Sequence, residues 1–246
     1  MRREGCARGV RRERGWSLVE ILVVILVIGL LAAIALPVFS RARERALQAV
    51  CQNHLKQLGL AVRLYLQYND NIYFPYEVET REGTLYYYGL ERLLSDGCVD
   101  VDVSRGYLFP YFSLVAGVER CPSFNECSSL KRRLQGATLG YGYNRFGVAG
   151  KSGTCIRAPE NIVLLADSAH VAWRGACSGP TNLIVEEFGY VTPSDFTVHF
   201  RHAGQANVLF CDGHVESRVP RKIFSVLPKA NVGMLNELGD TSLFIP

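Results

Sequence analysis

Hydrophobic positions fall into three regimes along the chain. Ile21–Phe39 is a run of 19 residues without a charge, apolar on every side. From Arg41 onward the pattern thins to one face, with Leu55, Leu58, Val62 and Tyr65 at 3-4-3 spacing and Ala42, Ala46 and Ala49 continuing the stripe upstream. Between Ser40 and Tyr68 there is no proline and only Gly59 among glycines, and Asn69-Asp70-Asn71 reads as a stop. The pattern predicts one helix over Leu18–Tyr68, roughly 77 Å long at about 1.5 Å per residue. Pro37 removes a backbone bond and crowds the preceding turn, which predicts a kink or local melting there. The amphipathic half, residues 40–70, has to pack its stripe on the region that follows.

That region, 71–246, reads as short elements with many turns. Leu85–Leu94 predicts a short helix ended by Ser95-Asp96-Gly97. Ile162–Ala166 and Asn182–Val185 predict short strands, and Thr197–His202 alternates loosely. Asn207–Cys211 and His214–Arg218 flank Asp212-Gly213, a hairpin signal because a type I′ turn needs positive φ at both central residues. Phe224–Leu227 predicts a C-terminal helix, and the glycine- and tyrosine-rich stretch from about 120 to 160 predicts ordered loop. The fold class is α+β: a long N-terminal helix packed on a small antiparallel sheet with long loops.

The apolar run is longer than a usual secretory h-region, and no small-x-small cleavage site follows it before Arg41. At about 28 Å it matches the hydrocarbon thickness, so it reads as a membrane span, residues 16–39. Charge supports this. The first 15 residues carry six arginines against two glutamates, and the rest of the chain balances at 21 basic and 21 acidic residues. The basic excess therefore marks a cytoplasmic N-terminus of a single-pass membrane protein. It does not mark a nucleic-acid-binding surface. Residues 71–246 are then exported.

Eight cysteines are present, Cys6 among the first 15 residues. An oxidising compartment permits disulfides, and the odd count beyond Cys6 leaves at least one thiol free or bridged to another chain. The only short pair, Cys121 and Cys127, lacks the spacing of a zinc knuckle. Connectivity stays open.

Candidate chemistry sits at both ends. Glu20 is a lone acid at the edge of the apolar run, and a charge costs on the order of 2.5–3.5 kcal/mol at a bilayer centre on insertion scales. It needs a partner, and cutting the chain just upstream would create one. Near the C-terminus, His202, Asp212 and His214 invite a metal or catalytic reading, with Asp167 after another apolar strand. The stronger reading is a structural lock, in which His202 bonds Asp212 or a backbone group and Gly213 supplies positive φ. No metal is assigned; His202, Asp212 and His214 are the candidate ligands if one binds. No nucleophile elbow or phosphate loop points to an enzyme, and no cofactor is implied. Tyr86-Tyr87-Tyr88 with Tyr141 and Tyr143 could form a sugar-binding face, but core packing is the commoner use of such clusters.

Gly15-Trp16-Ser17-Leu18-Val19-Glu20 and the apolar run through Pro37 resemble the N-terminus of type IV pilins and pseudopilins, with Trp16 where that family usually has phenylalanine. Further stretches resemble prepilin-like proteins with an H-x9-DG signature: Cys51-Gln52-Asn53-His54-Leu55-Lys56-Gln57-Leu58-Gly59, Tyr73-Phe74-Pro75, Arg120-Cys121-Pro122-Ser123, and His202 with Asp212-Gly213. The resemblance implies an inner-membrane location, a leader (residues 1–15) cut after Gly15 by a prepilin peptidase, and methylation of the new Trp16 amine. It also implies pairing of that amine with Glu20, within one helix or across neighbours, during assembly with other pilin or pseudopilin subunits. Gly29, Ala32, Ala33 and Ala35 offer small positions for such packing. The competing reading, from another class, is a membrane-anchored extracytoplasmic module that binds metal or glycan without assembling.

Overall fold

The computed structural model describes residues 16–94, 99–112, 117–126, 130–131, 134–135, 139–173, 183–186, 188–224, 230–237 and 240–246. The chain divides into two compact units, 1–43 and 44–246, and helix α1 (Leu18–Tyr68) supplies residues to both.

In the first unit every described residue is exposed, from Trp16 at 74% to Leu26 at 70% and Phe39 at 70%. The helix is long and apolar enough to cross a membrane. It runs through Pro37 as continuous α-helix, so the expected melting does not occur. Ser40 donates its hydroxyl to the Pro37 carbonyl at 3.0 Å.

The second unit begins with the lower half of α1. The helix stops as expected: Asn71 N–H returns to the Leu66 carbonyl at 2.9 Å, and Asp70 and Asn71 both take positive φ. Four strands then form a meander: β1 (Glu77–Thr80), β2 (Gly83–Tyr86), β3 (Gly89–Leu93) and β4 (Val99–Asp102). The helix expected over Leu85–Leu94 is thus a β-hairpin, in which Leu85 and Leu90 are direct partners. The β-prone tyrosines win here because Tyr87 and Tyr88 are drawn into the core.

A short helix α2 (Phe109–Phe112) follows, then β5 (Leu130–Lys131), β6 (Leu134–Gln135) and β7 (Tyr141–Asn144). The Gly-Tyr stretch read as loop therefore holds a fully buried strand. The strand can pair closely because residue 142 lacks a side chain; a Cβ there would meet the Tyr190 backbone at 2.8 Å. The chain continues through β8 (Val163–Asp167), β9 (His170–Trp173), β10 (Leu183–Glu186), β11 (Tyr190–Val191), β12 (Val198–His199), β13 (Ala206–Phe210), β14 (Val215–Arg218), β15 (Lys222–Ile223) and β16 (Val232–Met234). Of the C-terminal helix expected at Phe224–Leu227, residues 225–227 lie outside the described residues. Phe224 itself is extended and donates to the Val232 carbonyl at 2.8 Å.

The sheet that positions the site has the order β11-β7-β8-β13-β14, antiparallel except for β11 beside β7. The meander is extended by β6, and β5-β10-β9 and β12-β16-β15 form two smaller sheets. Strand β13 is buried throughout and divides its side chains by period two. Ala206, Val208 and Phe210 join a cluster with Val198, Phe200 and Phe244. Leu209 joins the larger core with Leu55 and Leu58 of α1, while Asn207 receives Gln52 of α1 at 3.4 Å. Tyr87, Tyr88, Tyr141 and Tyr143 are buried in that larger core, so these tyrosines serve packing.

The buried face of α1 differs from the sequence stripe. Leu55, Leu58 and Val62 are buried, but Ala42, Ala46 and Ala49 are exposed. The seam continues upstream through Cys51, Gln48, Leu47 and Glu44. Polar residues belong there because the opposing surface is polar: Gln48 and Gln52 both donate to Ser217 Oγ at 2.9 Å.

Candidate functional site

The helix start is built by its own residues. Ser17 Oγ accepts from Glu20 N–H at 3.2 Å, and Glu20 Oε2 accepts from Ser17 N–H at 2.7 Å. This is a reciprocal capping box that satisfies otherwise unpaired amide groups at a helix N-terminus. The spacing Ser-x-x-Glu signals it in sequence, yet the reading of Glu20 as an acid in search of a charge passes it over. Trp16 precedes the cap and is exposed, and Gly15 lies outside the described residues. A continuous apolar surface follows, including Leu22, Ile25, Leu26, Gly29 and Leu30. A side chain at residue 29 would meet nothing within 4 Å.

The second site lies at the two ends of β13. His202 and Asp212 are not brought together. A five-residue strand separates them, about 17 Å of extended chain. At the far end, Cys211-Asp212-Gly213 turns the chain back, with Gly213 N–H bonded to Phe210 O at 2.9 Å and Phe210 N–H to His214 O at 3.0 Å. Only Gly213 has positive φ, +92°, so this is a three-residue turn with a glycine bulge rather than type I′. Asp212 Oδ1 accepts from His214 N–H at 3.0 Å and lies 2.6 Å from His214 Nδ1, and the imidazole stacks on Phe210. Burial pushes the Asp212 carboxyl up, but these hydrogen bonds and Arg63 outweigh it and leave the pKa lowered. Asp212 and His214 are thus a local turn pair.

The type I′ geometry is found at the near end instead. His202 and Gln205 exchange backbone bonds at 3.0 and 2.9 Å around Ala203 (φ 50°) and Gly204 (φ 83°). This turn directs the His202 ring into the interior, where it is fully buried. Its Nε2 lies 3.4 Å from Asp167 Oδ2 and 3.4 Å from Cys121 Sγ. Its Nδ1 lies 3.3 Å from Glu44 Oε1 and 3.4 Å from Ser123 Oγ. Asp167, at the end of β8, accepts from the Asn207 N–H of β13 at 2.7 Å and faces Arg201 Nε at 3.9 Å. Cys51 of α1 approaches Asp167 Oδ1 at 3.7 Å and Tyr141 Oη at 3.1 Å. Cys51 and Cys121 are joined as a disulfide. Cys155 and Cys211 carry free thiols, and burial pushes that of Cys211 up to about 12.

The electrostatics follow from burial. Burial pushes Asp167 up to about 6, against the opposing pull of Arg201 and of the Asn207 N–H. Burial, aided by Arg201, pushes His202 down to about 3. The imidazole is therefore neutral at pH 7, and the ionic partner of Asp167 is Arg201. The guanidinium sits over the Phe124 ring at 4.4 Å and donates to the Ser168 carbonyl at 2.6 Å. Sequence reasoning found His202 and noted Asp167, but missed Cys51, Cys121 and Glu44 as their neighbours. Separations such as the 70 residues between the two cysteines leave no local signal.

Comparison with known proteins addresses the helix end. Residues 10–36 match the family described as the prokaryotic N-terminal methylation motif. Over 59 residues, 24% of the chain, the sequence is 37% identical to the type IV major pilin protein PilA of Myxococcus xanthus (strain DK1622). That match covers 27% of the pilin, so the chain spans about a quarter of this curated relative. No solved structure matches the chain. The N-terminal part of the chain is thus similar to a prepilin-type N-terminus, and its apolar helix leads into an α+β region.

Proposed function

We propose that this chain is a structural subunit of a type IV pilus-like filament or a type II secretion pseudopilus. Residues 1–15 are a leader, removed after Gly15 by prepilin peptidase, with methylation of the new Trp16 amine. Residues 16–39 span the inner membrane with the N-terminus in the cytoplasm and then carry assembly. Residues 40–70 form a stalk, and residues 71–246 are exported. Its partners are the peptidase, the membrane and other pilin or pseudopilin subunits, and its role is mechanical rather than catalytic. His202, Asp212 and Gly213 serve folding, as the turn residues at either end of β13. The observation that carries this reading is the first half of α1. Its apolar side chains are all exposed, and its one acid is held at the first turn, within the matched residues 10–36.

The test is N-terminal mass analysis of the membrane and sheared-surface fractions. The wild type should begin at a methylated Trp16, and Gly15→Arg should keep its leader and disappear from the sheared fraction. A wild-type chain that starts at Met1 in both fractions would overturn the reading.

A cleft of about 320 Å³ favours the second reading, an anchored binding module. His170, Phe188, Tyr190 and Phe196 line it, and stacked rings of this kind bind sugars. A wild-type chain found only as detergent-extractable monomer, together with glycan-array binding, would select that alternative.

A further inference from the structure

We propose that Cys51, Cys121, Asp167 and His202 form a zinc site, and that the disulfide is the oxidised form of the same site. Four separate segments converge here: Cys51 from α1, Cys121 from the loop before Pro122, Asp167 from β8 and His202 from the turn before β13. Their ligand atoms all lie within 4.8 Å of one another, and all four residues are buried. This departs from the candidate set His202, Asp212 and His214, whose last two members pair with each other elsewhere.

The geometry fits a closed tetrahedral site. Zinc bonds of about 2.0–2.3 Å place the ligand atoms of a tetrahedron roughly 3.3–3.8 Å apart. The two edges at His202 Nε2, to Cys121 Sγ (3.4 Å) and to Asp167 Oδ2 (3.4 Å), lie in that range, and Cys51 Sγ stands 3.7 Å from Oδ1, the other oxygen of the same carboxylate. Opening the disulfide supplies the two sulfur ligands.

The surroundings fit as well. A zinc-bound histidine usually gives its other ring N–H to a carboxylate or carbonyl, and Glu44 Oε1 stands 3.3 Å from His202 Nδ1. Two thiolates, one carboxylate and Zn²⁺ sum to one negative charge, and the buried Arg201 guanidinium beside Asp167 offsets it. Thiolate, imidazole and carboxylate together suit zinc, and burial with no open position suits a structural rather than a catalytic ion.

The chemistry balances in both directions. Zinc binding to the dithiol releases two protons. Oxidation of the zinc-bound dithiolate by the disulfide of an exported thiol–disulfide exchange protein forms the Cys51–Cys121 bond and releases Zn²⁺. It passes two electrons to that protein's disulfide, which takes up two protons as it becomes a dithiol. A dithiol reductant returns two electrons and two protons and restores the metal-free dithiol. Either closure ties α1 to the loop that carries Cys121, and the zinc form adds β8 through Asp167.

The experiment uses the full chain in detergent micelles. It is reduced with a phosphine, freed of the phosphine, and titrated with Zn²⁺ against a chromophoric chelator. One zinc per chain is expected, with Cys51 and Cys121 shielded from alkylation in peptide mapping while Cys155 remains reactive. Co²⁺ in its place should give the visible absorption of a tetrahedral dithiolate. His202→Ala should weaken binding at least 100-fold. Glu44→Gln, at a half-exposed position, should keep the stoichiometry and weaken binding by about 10–100-fold. Asp212→Ala should change neither. Less than one-tenth of a zinc per chain, alkylation of Cys51 and Cys121 in its presence, or octahedral cobalt would each overturn the site. None of these outcomes bears on processing at Gly15.

Discussion

The two halves of α1 are one helix made for two surroundings. Leu26 in the first half is 70% exposed, and Leu55 in the second is fully buried. The more apolar half buries nothing in its own chain, while the more polar half carries the packing seam. A helix apolar all round belongs in lipid or among other helices, and its hydrophobicity reports that solvent rather than a fold of its own. The second half needs fewer apolar residues because directional bonds from Gln48 and Gln52 share the work of docking.

Substitution should separate the halves most strongly at Leu55. Leu55→Ala should destabilise the 44–246 unit by about 2–5 kcal/mol in urea unfolding, since the cavity lies in a closed core. Ile25→Ala should leave that transition within about 0.5 kcal/mol and act only on helix association. Equal effects at both sites would erase the distinction.

Acid should act on the 44–246 unit that the second half packs into. Burial, with Arg201 adding to it, holds His199 well below its ordinary 6.5. The unfolded imidazole takes up a proton below that value while the folded one stays neutral. Its contribution is therefore complete above pH 6.5 and lost as pH falls, at about 1.4 kcal/mol per pH unit for one proton. His199→Gln should remove one proton from the pH slope of the urea midpoint, and an unchanged slope would rule His199 out.

A local effect is expected at Glu20, where the substitution can separate cap from charge. Glu20→Ala should cost the helix start on the order of 1 kcal/mol, seen as faster amide exchange over the first turn. Glu20→Gln should retain the cap, because glutamine can accept the same bond. If the charge matters to assembly, both variants should be cleaved normally and both fail to enter filaments. Entry of the Gln variant would assign Glu20 to capping alone.

Much of the helix was legible and much of the site was not, for physical reasons. The span Leu18–Tyr68 could be read because helix signals are local: an apolar run, 3.6 periodicity and an asparagine-rich stop. Its buried face was only half legible, since Glu44 and Gln48 look like surface residues until His202 and Ser217 stand opposite them. The type I′ turn was assigned to Asp212-Gly213 by composition. It falls at Ala203-Gly204, where strand pairing imposes αL on an alanine at a cost of about 1–2 kcal/mol. The four-residue cluster depends on convergence of distant segments, which neither propensity nor spacing encodes.

The Cys51–Cys121 link also makes the second unit a lasso. Its noose takes in the lower end of α1 and the whole β1–β4 meander, and the edge strand β1, Glu77–Thr80, is exposed at every position. A protease that cuts there would sever the backbone without releasing a piece. The nicked chain should run at full mass on a non-reducing gel and fall into two fragments only with reductant. A chain linked in this way can be wounded on its outer edge and still be held as one covalent piece.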